Sequence, residues 1–509
     1  MSRPDVCPVS CFYNFDMANK VHPRLASLSL DRSENSEPLS EQLYKAICSL
    51  IESGNLLAND PLPSSRQLSD LLDVSRSTVS HVYKQLTEEG LINSRKGSGT
   101  FVSETADALT ELSTDSANAH SPLRLAELPA SARVASDARS FSVQKNLPFA
   151  VIAPDHESLP GKNWTTIVSR ISRSPWLHNG YCEPGGFMPY KEAVADYLRR
   201  FRGISCSADQ VIATTGIQQA LDLCASVLFK ASDLVAVEDP YFQPHVNLLE
   251  FRGLKPVPIP VTQDGIDTDC LEKHSDIRGV LVTPCHQYPL GYVFSSQTRE
   301  KLLDWAAKNS AWIIEDDYDS ELRYGKKPHP ALASLDQNEC CIYLGSFTKV
   351  IYPGFNMGYM VVPKPLIRVF EGAKFLTDRH SSEVHQCILA EFIERGFYDS
   401  HVRRLKTMYE KRRQALVRSI GRLLGRYGSI EGENEGTHVT FLFNHPVNDI
   451  EICRFLDEKY RIEARPLSEC YRLANSRSGL ILGYAHFTEE ELREAVSRLR
   501  DGLEVFFNP

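Results

Sequence analysis

Tyr343-Leu-Gly-Ser346-Phe-Thr-Lys349-Val-Ile-Tyr-Pro-Gly-Phe-Asn356-Met-Gly358 is the stretch from which the rest of the chain is read. The apolar run Cys341-Ile-Tyr-Leu344 predicts a short buried strand that ends in Gly345-Ser346. A second run, Tyr359-Met-Val-Val362, predicts another strand before Pro363. A lysine held between two buried strands is costly as an ammonium, because burial disfavours the charged form. One use for such a lysine is as an amine that forms a Schiff base. Ser346, three residues earlier, is placed to donate a hydrogen bond to a phosphate. Pyridoxal 5'-phosphate (PLP), an aldehyde with a phosphate arm, suits both features. A surface lysine in a loop fits the same short pattern, so the upstream segments decide.

Working back from that stretch, Ala311-Trp-Ile-Ile314 reads as a strand running into Glu315-Asp316-Asp-Tyr318-Asp319. Carboxylates at that point could bind a metal or be solvated; in a PLP site one of them would keep the pyridine nitrogen protonated. Gly279-Val-Leu-Val-Thr-Pro284 is a strand entering Cys285-His-Gln-Tyr-Pro-Leu-Gly291. Leu234-Val-Ala-Val237 ends in Glu238-Asp-Pro-Tyr241-Phe242, and an aromatic just past a strand can stack on a planar ring or simply fill a core. Val211-Ile-Ala213, the turn Thr214-Thr-Gly216 and the helix start Ile217-Gln218 form an anion site, with free N–H groups and the helix dipole aimed at a phosphate. Strands alternating with helices predict an α/β domain with a mostly parallel sheet and ligands at the strand ends.

The first part of the chain has a different grammar. Residues 1–35 are polar and irregular. Leu39, Leu43, Ile47, Leu50 and Ile51 recur at helical spacing up to Gly54. Ser64 or Ser65 can cap a second helix that turns Leu68, Leu71 and Leu72 inward, and Ser75 can cap a third that buries Val79, Val82 and Leu86. Gly90 stops it, and two strands flank the turn Lys96-Gly97-Ser-Gly99. Three short helices and a glycine-rich hairpin predict a winged helix-turn-helix over residues 36–103. Ser75, Arg76, Ser77, Thr78 and Ser80 crowd the start of the third helix, where such domains meet base edges. Arg66 would lie near the phosphate backbone; Tyr83, Lys84 and Lys96 add donors, and Gly97 lets the wing approach closely. The expected partner is double-stranded promoter DNA.

Bulk properties set limits. The 509 residues exceed one ordinary core. The formal net charge of −9 argues against wholesale nucleic-acid coating but not against a local basic face. Residues 37–103 hold six Lys/Arg against eight Asp/Glu, so the DNA reading rests on placement and not on net charge. The 13 cysteines form no C-x-x-C pair, which suggests neither a zinc site nor a disulfide framework. A reducing cytoplasm is expected. No signal-peptide-like stretch and no membrane-spanning run is seen. Residues 104–141 carry Ala, Ser, Thr, Asp and Glu without an apolar period and read as a linker; if flexible it spans about 35 Å on average. The second domain is expected over 142–509.

The stretch Pro63-Ser-Ser-Arg66-Gln-Leu, Val74-Ser-Arg76-Ser-Thr-Val and Gly97-Ser-Gly-Thr-Phe-Val resembles the GntR family of bacterial transcription regulators. The later order Tyr181-Cys-Glu-Pro-Gly-Gly186, Thr215-Gly216-Ile-Gln-Gln, Glu238-Asp-Pro, His286-Gln-Tyr-Pro-Leu-Gly291, Glu315-Asp-Asp-Tyr318 and Ser346-x-x-Lys349 resembles class I aminotransferases. Together they are similar to MocR-type regulators. The resemblance implies an α+β winged helix-turn-helix followed by an α/β class I aminotransferase-like (fold type I) domain. It implies that Lys349 carries PLP as a Schiff base, that Asp316 pairs with the pyridine nitrogen, and that Tyr318 sits near the ring's phenolic oxygen. Phe242, or Tyr241 beside it, would stack on the ring. Gly216, Ile217, Gln218 and Ser346 would hold the phosphate, and Tyr181 would reach the phosphate of a partner's site, implying a homodimer.

Two positions depart from that pattern. Relatives usually carry an arginine seven residues after the lysine, on the phosphate; here it is Asn356, and losing a bidentate cation weakens phosphate binding. The C-terminal strand Ser478-Gly-Leu-Ile-Leu-Gly483 lacks the carboxylate-binding arginine of aminotransferases; Arg465, Arg472 and Arg477 are nearby substitutes. The expected function is a PLP-dependent regulator that senses PLP, a small amine or an amino acid. The alternatives are a working aminotransferase with a DNA-binding head, and a regulator with a degenerate cofactor site.

Overall fold

The computed structural model describes residues 25, 30–32, 37–52, 56, 59–95, 99–103, 130–138, 145–151, 160–175, 180–324, 329–432, 435–474 and 477–508. Most of the irregular arm, Lys96 and Gly97 of the wing, and residues 104–129 lie outside them. The chain divides into two compact units, Met1–Glu127 and Leu128–Pro509.

The first unit builds α1 (Leu39–Glu52), β1 (Pro61–Leu62), α2 (Ser65–Leu72), α3 (Arg76–Glu88), β2 (Ile92–Arg95) and β3 (Gly99–Val102). Ser64 caps α2 in a reciprocal box with Gln67, and Ser75 caps α3 by accepting from the Thr78 N–H at 3.0 Å. Leu43, Ile47, Leu68, Val79, Val82 and Leu86 form one core. Leu71 departs from the periodicity reading: it is exposed, because the eight-residue α2 buries only the Leu68 and Leu72 side. The segment read as a loop contributes β1, which pairs antiparallel with β3, and β3 pairs in turn with β2.

The second unit opens earlier than the composition implied. Residues 104–141 read as linker, yet α4 (Ala130–Ala138) is helical and packs against a later helix, Gln243–Phe251. Its alanines give helix propensity. Then come α5 (Met188–Phe201), β4 (Val211–Thr214), α6 (Ile217–Leu228), β5 (Leu234–Asp239), α7 (Gln243–Phe251), β6 (Lys255–Thr262), β7 (Gly265–Ile266), β8 (Ile277–Val282), β9 (Trp312–Asp317), β10 (Cys341–Ser346) and β11 (Gly358–Val361). These strands form an eight-stranded sheet in the order β4-β11-β10-β9-β8-β5-β6-β7. From β10 to β6 the pairing is parallel; β11 runs antiparallel to both β10 and β4. Valine, isoleucine and leucine fill the strands because helices cover both faces.

A 27-residue helix, α8 (Phe397–Leu423), leads to a smaller antiparallel sheet of β12 (Gly428–Glu431), β13 (His438–Phe443), β14 (Arg465–Pro466) and β15 (Gly479–Gly483), ordered β12-β13-β15-β14. Among the described residues no helix is long and apolar enough to cross a membrane.

Candidate cofactor and DNA sites

The carboxyl ends of the parallel strands converge on a cavity of about 520 Å³, the place where open α/β sheets bind ligands. β9 delivers Asp316, with Tyr318 just beyond; β10 delivers Ser346, then Thr348 and Lys349; the turn after β4 delivers Gly216, Ile217 and Gln218; the turn after β5 delivers Phe242. All of these line the cavity, with Asn356 and Arg465.

Burial holds the Lys349 amine below the ordinary lysine range, partly opposed by Asp319 and Asp316. Asp316 is almost wholly buried, with Oδ2 accepting from the Tyr241 hydroxyl at 2.8 Å and lying 3.3 Å from His245 Nδ1. Its Oδ1 is buried and has no partner among the described residues. A carboxylate oxygen is not left unpaired in a protein interior without cost, so a cavity-lining orphan calls for a donor from a ligand. Tyr318 contacts His286 Nδ1 at 2.9 Å, and His286 stands 3.0 Å from Asp319.

At the other end, Gly216 has φ +104 and precedes the first turn of α6, so the N–H groups that start the helix are not consumed within it. A Cβ on Gly216 would sit 3.5 Å from Asn356 Oδ1, which puts that amide at the helix start. Asn356 has φ 44, a left-handed conformation that asparagine tolerates. Ser346 Oγ accepts from the Thr348 N–H at 3.1 Å and donates to Thr348 Oγ1 at 2.8 Å. The helix start, the Ser346–Thr348 pair and the Asn356 amide make a neutral cradle for an anion. The orphaned Oδ1 and this cradle, with an amine in the same cavity, fit PLP.

Tyr241 requires a correction. The sequence left it as an alternative to Phe242 for stacking, but it lies behind Asp316 and does not line the cavity. The cause is the turn after β5, which sends consecutive side chains to opposite sides. Tyr181 does not line the cavity either: it is 78% exposed, with Arg379 stacked 4.3 Å from its ring centroid. The three candidate arginines separate. Arg472 pairs with Glu250 at 2.5 Å and Arg477 with Glu431 at 2.7 Å, whereas Arg465 faces the cavity, and no ion pair to it is found among the described residues. Arg465 lies opposite Ile481 in the β14–β15 register, one strand away from where the arginine was sought. Sequence reasoning missed Tyr288 and His438, which also line the cavity; burial pushes His438 down to about 3, so it is neutral. No local motif marks them, because they arrive from distant loops and the smaller sheet. Thr348 could have been found from Ser346-Phe-Thr-Lys349.

In the first unit, Arg66, Ser75, Arg76, Ser77, Ser80 and Lys84 are exposed, and Thr78 is half-buried. Arg76, Ser80 and Lys84 follow one another at helical spacing along α3, with Ser77 beside them. Arg76 Nε donates to Ser65 Oγ at 3.4 Å, and Lys84 lies 3.7 Å from Glu88. Ser75 Oγ is used as the cap. Tyr83 departs from its expected role: its hydroxyl donates to the Pro63 carbonyl at 2.8 Å and its ring joins the core. Tyr83→Phe should therefore lower stability by about 0.5–1.5 kcal/mol and leave DNA affinity unchanged. Thermal melts and a binding isotherm on one preparation would check both. Ser75→Ala should cost about 1 kcal/mol through the lost cap.

A winged helix-turn-helix and a fold type I cofactor domain in one chain define a class of protein: DNA-binding regulators built on an aminotransferase scaffold. Residues 39–102 match the bacterial regulatory proteins of the gntR family, and residues 175–499 match aminotransferase class I and II. The chain belongs to the MocR-type transcriptional regulators. It is 32% identical to the probable rhizopine catabolism regulatory protein MocR of Rhizobium meliloti, over 94% of this chain and 96% of that one. It is 28% identical to the HTH-type pyridoxine biosynthesis transcriptional regulator PdxR of Corynebacterium glutamicum, over 92% and 97%. Among solved structures it is similar to LysN, an alpha-aminoadipate aminotransferase of Thermus thermophilus, at TM-score 0.69 and 24% identity, over 75% of this chain and 98% of that one. The kynurenine aminotransferase of Pyrococcus horikoshii matches at TM-score 0.68 and 23% identity, over 78% and 100%. These two show the fold. The chain is an HTH-type transcriptional regulator with an aminotransferase-like domain, and its cofactor is pyridoxal phosphate.

Proposed function

We propose that this regulator reads a small amine or amino acid in the cofactor cavity and reports it as a change in promoter binding, as a homodimer in the cytoplasm. The observation that carries this reading is the company of Lys349: an orphaned carboxylate oxygen on Asp316 faces the same space as Arg465, a cation with no ion pair among the described residues. When bound, PLP supplies an aldehyde that captures amines and a ring that withdraws electrons. Lys349, whose amine burial makes easier to deprotonate, would hold the cofactor. Asp316 would keep a proton on the ring nitrogen, fixed in orientation by the Tyr241 hydroxyl. Phe242 would cover one face of the ring. Gly216, Ile217, Gln218, Ser346 and Asn356 would hold the phosphate. Tyr318 would stand near the ring oxygen, steadied by His286, and Tyr181 would extend to the partner subunit. Arg465 would take the carboxylate of an incoming amino acid and orient its α-carbon, a clamp from β14 in place of one from β15.

Ligand binding regulates only through a difference in affinity between two states, and about 1–3 kcal/mol suffices. The test is a screen of amino acids and amines that follows the cofactor's absorption, ketoacid release and promoter affinity together. A ligand that shifts the band and the promoter affinity, with turnover near background, supports the sensor. Sustained turnover at about 1 s⁻¹ or faster favours the aminotransferase reading, to which the cavity-facing Arg465 lends weight. Promoter affinity indifferent to PLP and to every ligand defeats the sensor and favours a regulator with a degenerate cofactor site. Arg465→Ala should abolish the response to amino acids while leaving the cofactor band in place.

A further inference from the structure

A second cavity, of about 530 Å³, is as large as the cofactor's and shares no lining residue with it. The two are joined through β9 and its exit. Successive strand residues point to opposite sides. Asp316 turns to the cofactor cavity; Asp317 turns away and pairs at 2.6 Å with buried Arg202, which lines the second cavity. Further along the chain, Glu321 enters that second cavity.

Glu321 is held in place. The hydroxyls of Tyr197 on α5 and Tyr398 on α8 both donate to its Oε1, at 2.7 and 3.1 Å. Burial, then the neighbouring Asp317, raise this carboxyl above its ordinary range. The walls are aromatic and aliphatic: Tyr197, Phe201, Tyr398 and Val402. On the more exposed side stand Arg403 and Lys406. Arg403 bonds within its own helix, to the Asp399 carbonyl and Ser400 Oγ. No carboxylate lies within ion-pair distance of Lys406 among the described residues, and burial lowers its ammonium. The other charges are paired: Arg323 with Glu435 at 2.8 Å and Asp399 with Arg200 at 3.2 Å. The cavity thus presents a fixed carboxylate, an apolar wall and two cations without a carboxylate partner among the described residues.

We propose that this cavity is a second ligand site, for a small amino acid with an apolar side chain. The ammonium meets the Glu321 carboxylate, the carboxylate meets Arg403 and Lys406, and the side chain packs on Phe201 and Val402. Occupancy bears on the cofactor site through the 316–321 segment and the Arg202–Asp317 pair. That regulatory consequence rests on the sensor reading above; the binding itself does not.

The experiment uses the full chain with its cofactor fixed on Lys349 by borohydride reduction, so that amines no longer react there. L-leucine, L-phenylalanine, 2-phenylethylamine and 3-phenylpropionate are titrated by calorimetry. Saturable 1:1 binding of an amino acid is expected, at least about tenfold tighter than the matching amine or acid. Glu321→Gln should weaken it by about tenfold or more, and Val402→Trp, which fills the cavity without removing a charge, should abolish it. Both variants should retain promoter binding and cofactor absorbance before reduction; if Glu321→Gln does not fold, Val402→Trp decides. No saturable binding to wild type, binding untouched by Val402→Trp, or equal affinity for 2-phenylethylamine overturns the proposal. The sensor reading stands or falls separately, on the absorption and promoter response of the unreduced protein.

Discussion

Lys349→Ala protein incubated with PLP and then freed of unbound cofactor should show no band in the region of about 400 nm where the wild type absorbs. The side chain lines the cavity on the turn after β10, and burial lowers its affinity for a proton, which favours the nucleophilic amine. Asp316→Asn tests the other end of the ring. The buried oxygen without a partner would lose the charge that attracts a protonated nitrogen, and breaking a buried charge pair costs about 3–5 kcal/mol. Cofactor affinity should fall by more than about a hundredfold while the fold survives, because Asn keeps the shape that accepts from Tyr241. Retention of the band in Lys349→Ala would sink the cofactor assignment. A pH effect accompanies it. In the cofactor-free protein the Lys349 amine binds its proton less tightly than in the unfolded chain. Between its lowered value and about 10.4, the unfolded state holds the extra proton, so stability rises with pH across that window. Lys349→Ala should flatten this rise in chemical denaturation measured at several pH values.

Arg76→Ala should cost about 1–3 kcal/mol on the preferred promoter sequence and relax the preference, if its contact is bidentate to a base. Arg76 begins α3, is exposed, and is tethered by a 3.4 Å bond to Ser65. Arg66→Ala should behave differently. Arg66 lies at the start of α2, exposed and without an ion-pair partner among the described residues, as suits a phosphate contact. Its loss should weaken all sequences alike and reduce the slope of log affinity against log salt by about one. Footprints and salt titrations unchanged in both variants would remove α3 as the reading helix.

Much of this was legible in sequence because it is local. Capping serines, apolar periods and strand-turn-helix signals are decided within one or two turns of chain, so α1 to α3, the buried strands of the larger sheet that lead to the site and the turns that carry Lys349 and Gly216 could be read directly, whereas the choice of Asp316 among its neighbouring carboxylates came from the resemblance. The order of motifs then carried the family. Tertiary structure alone decided which side chains share a space. Tyr241 and Phe242 are adjacent in sequence, yet one orients a carboxylate and the other lines a cavity. Tyr83 looked like a DNA donor until its hydroxyl was seen to serve Pro63. Arg465, Arg472 and Arg477 are equivalent by composition, and only the pairing of β14 with β15 sends Arg465 to the cofactor. The nine-residue α4 helix is hidden in sequence because it is short and set in a polar stretch whose composition reads as linker. Local propensity acts along the chain, whereas charge pairing, desolvation and cavity shape depend on distances between segments far apart in sequence, which no spacing rule records.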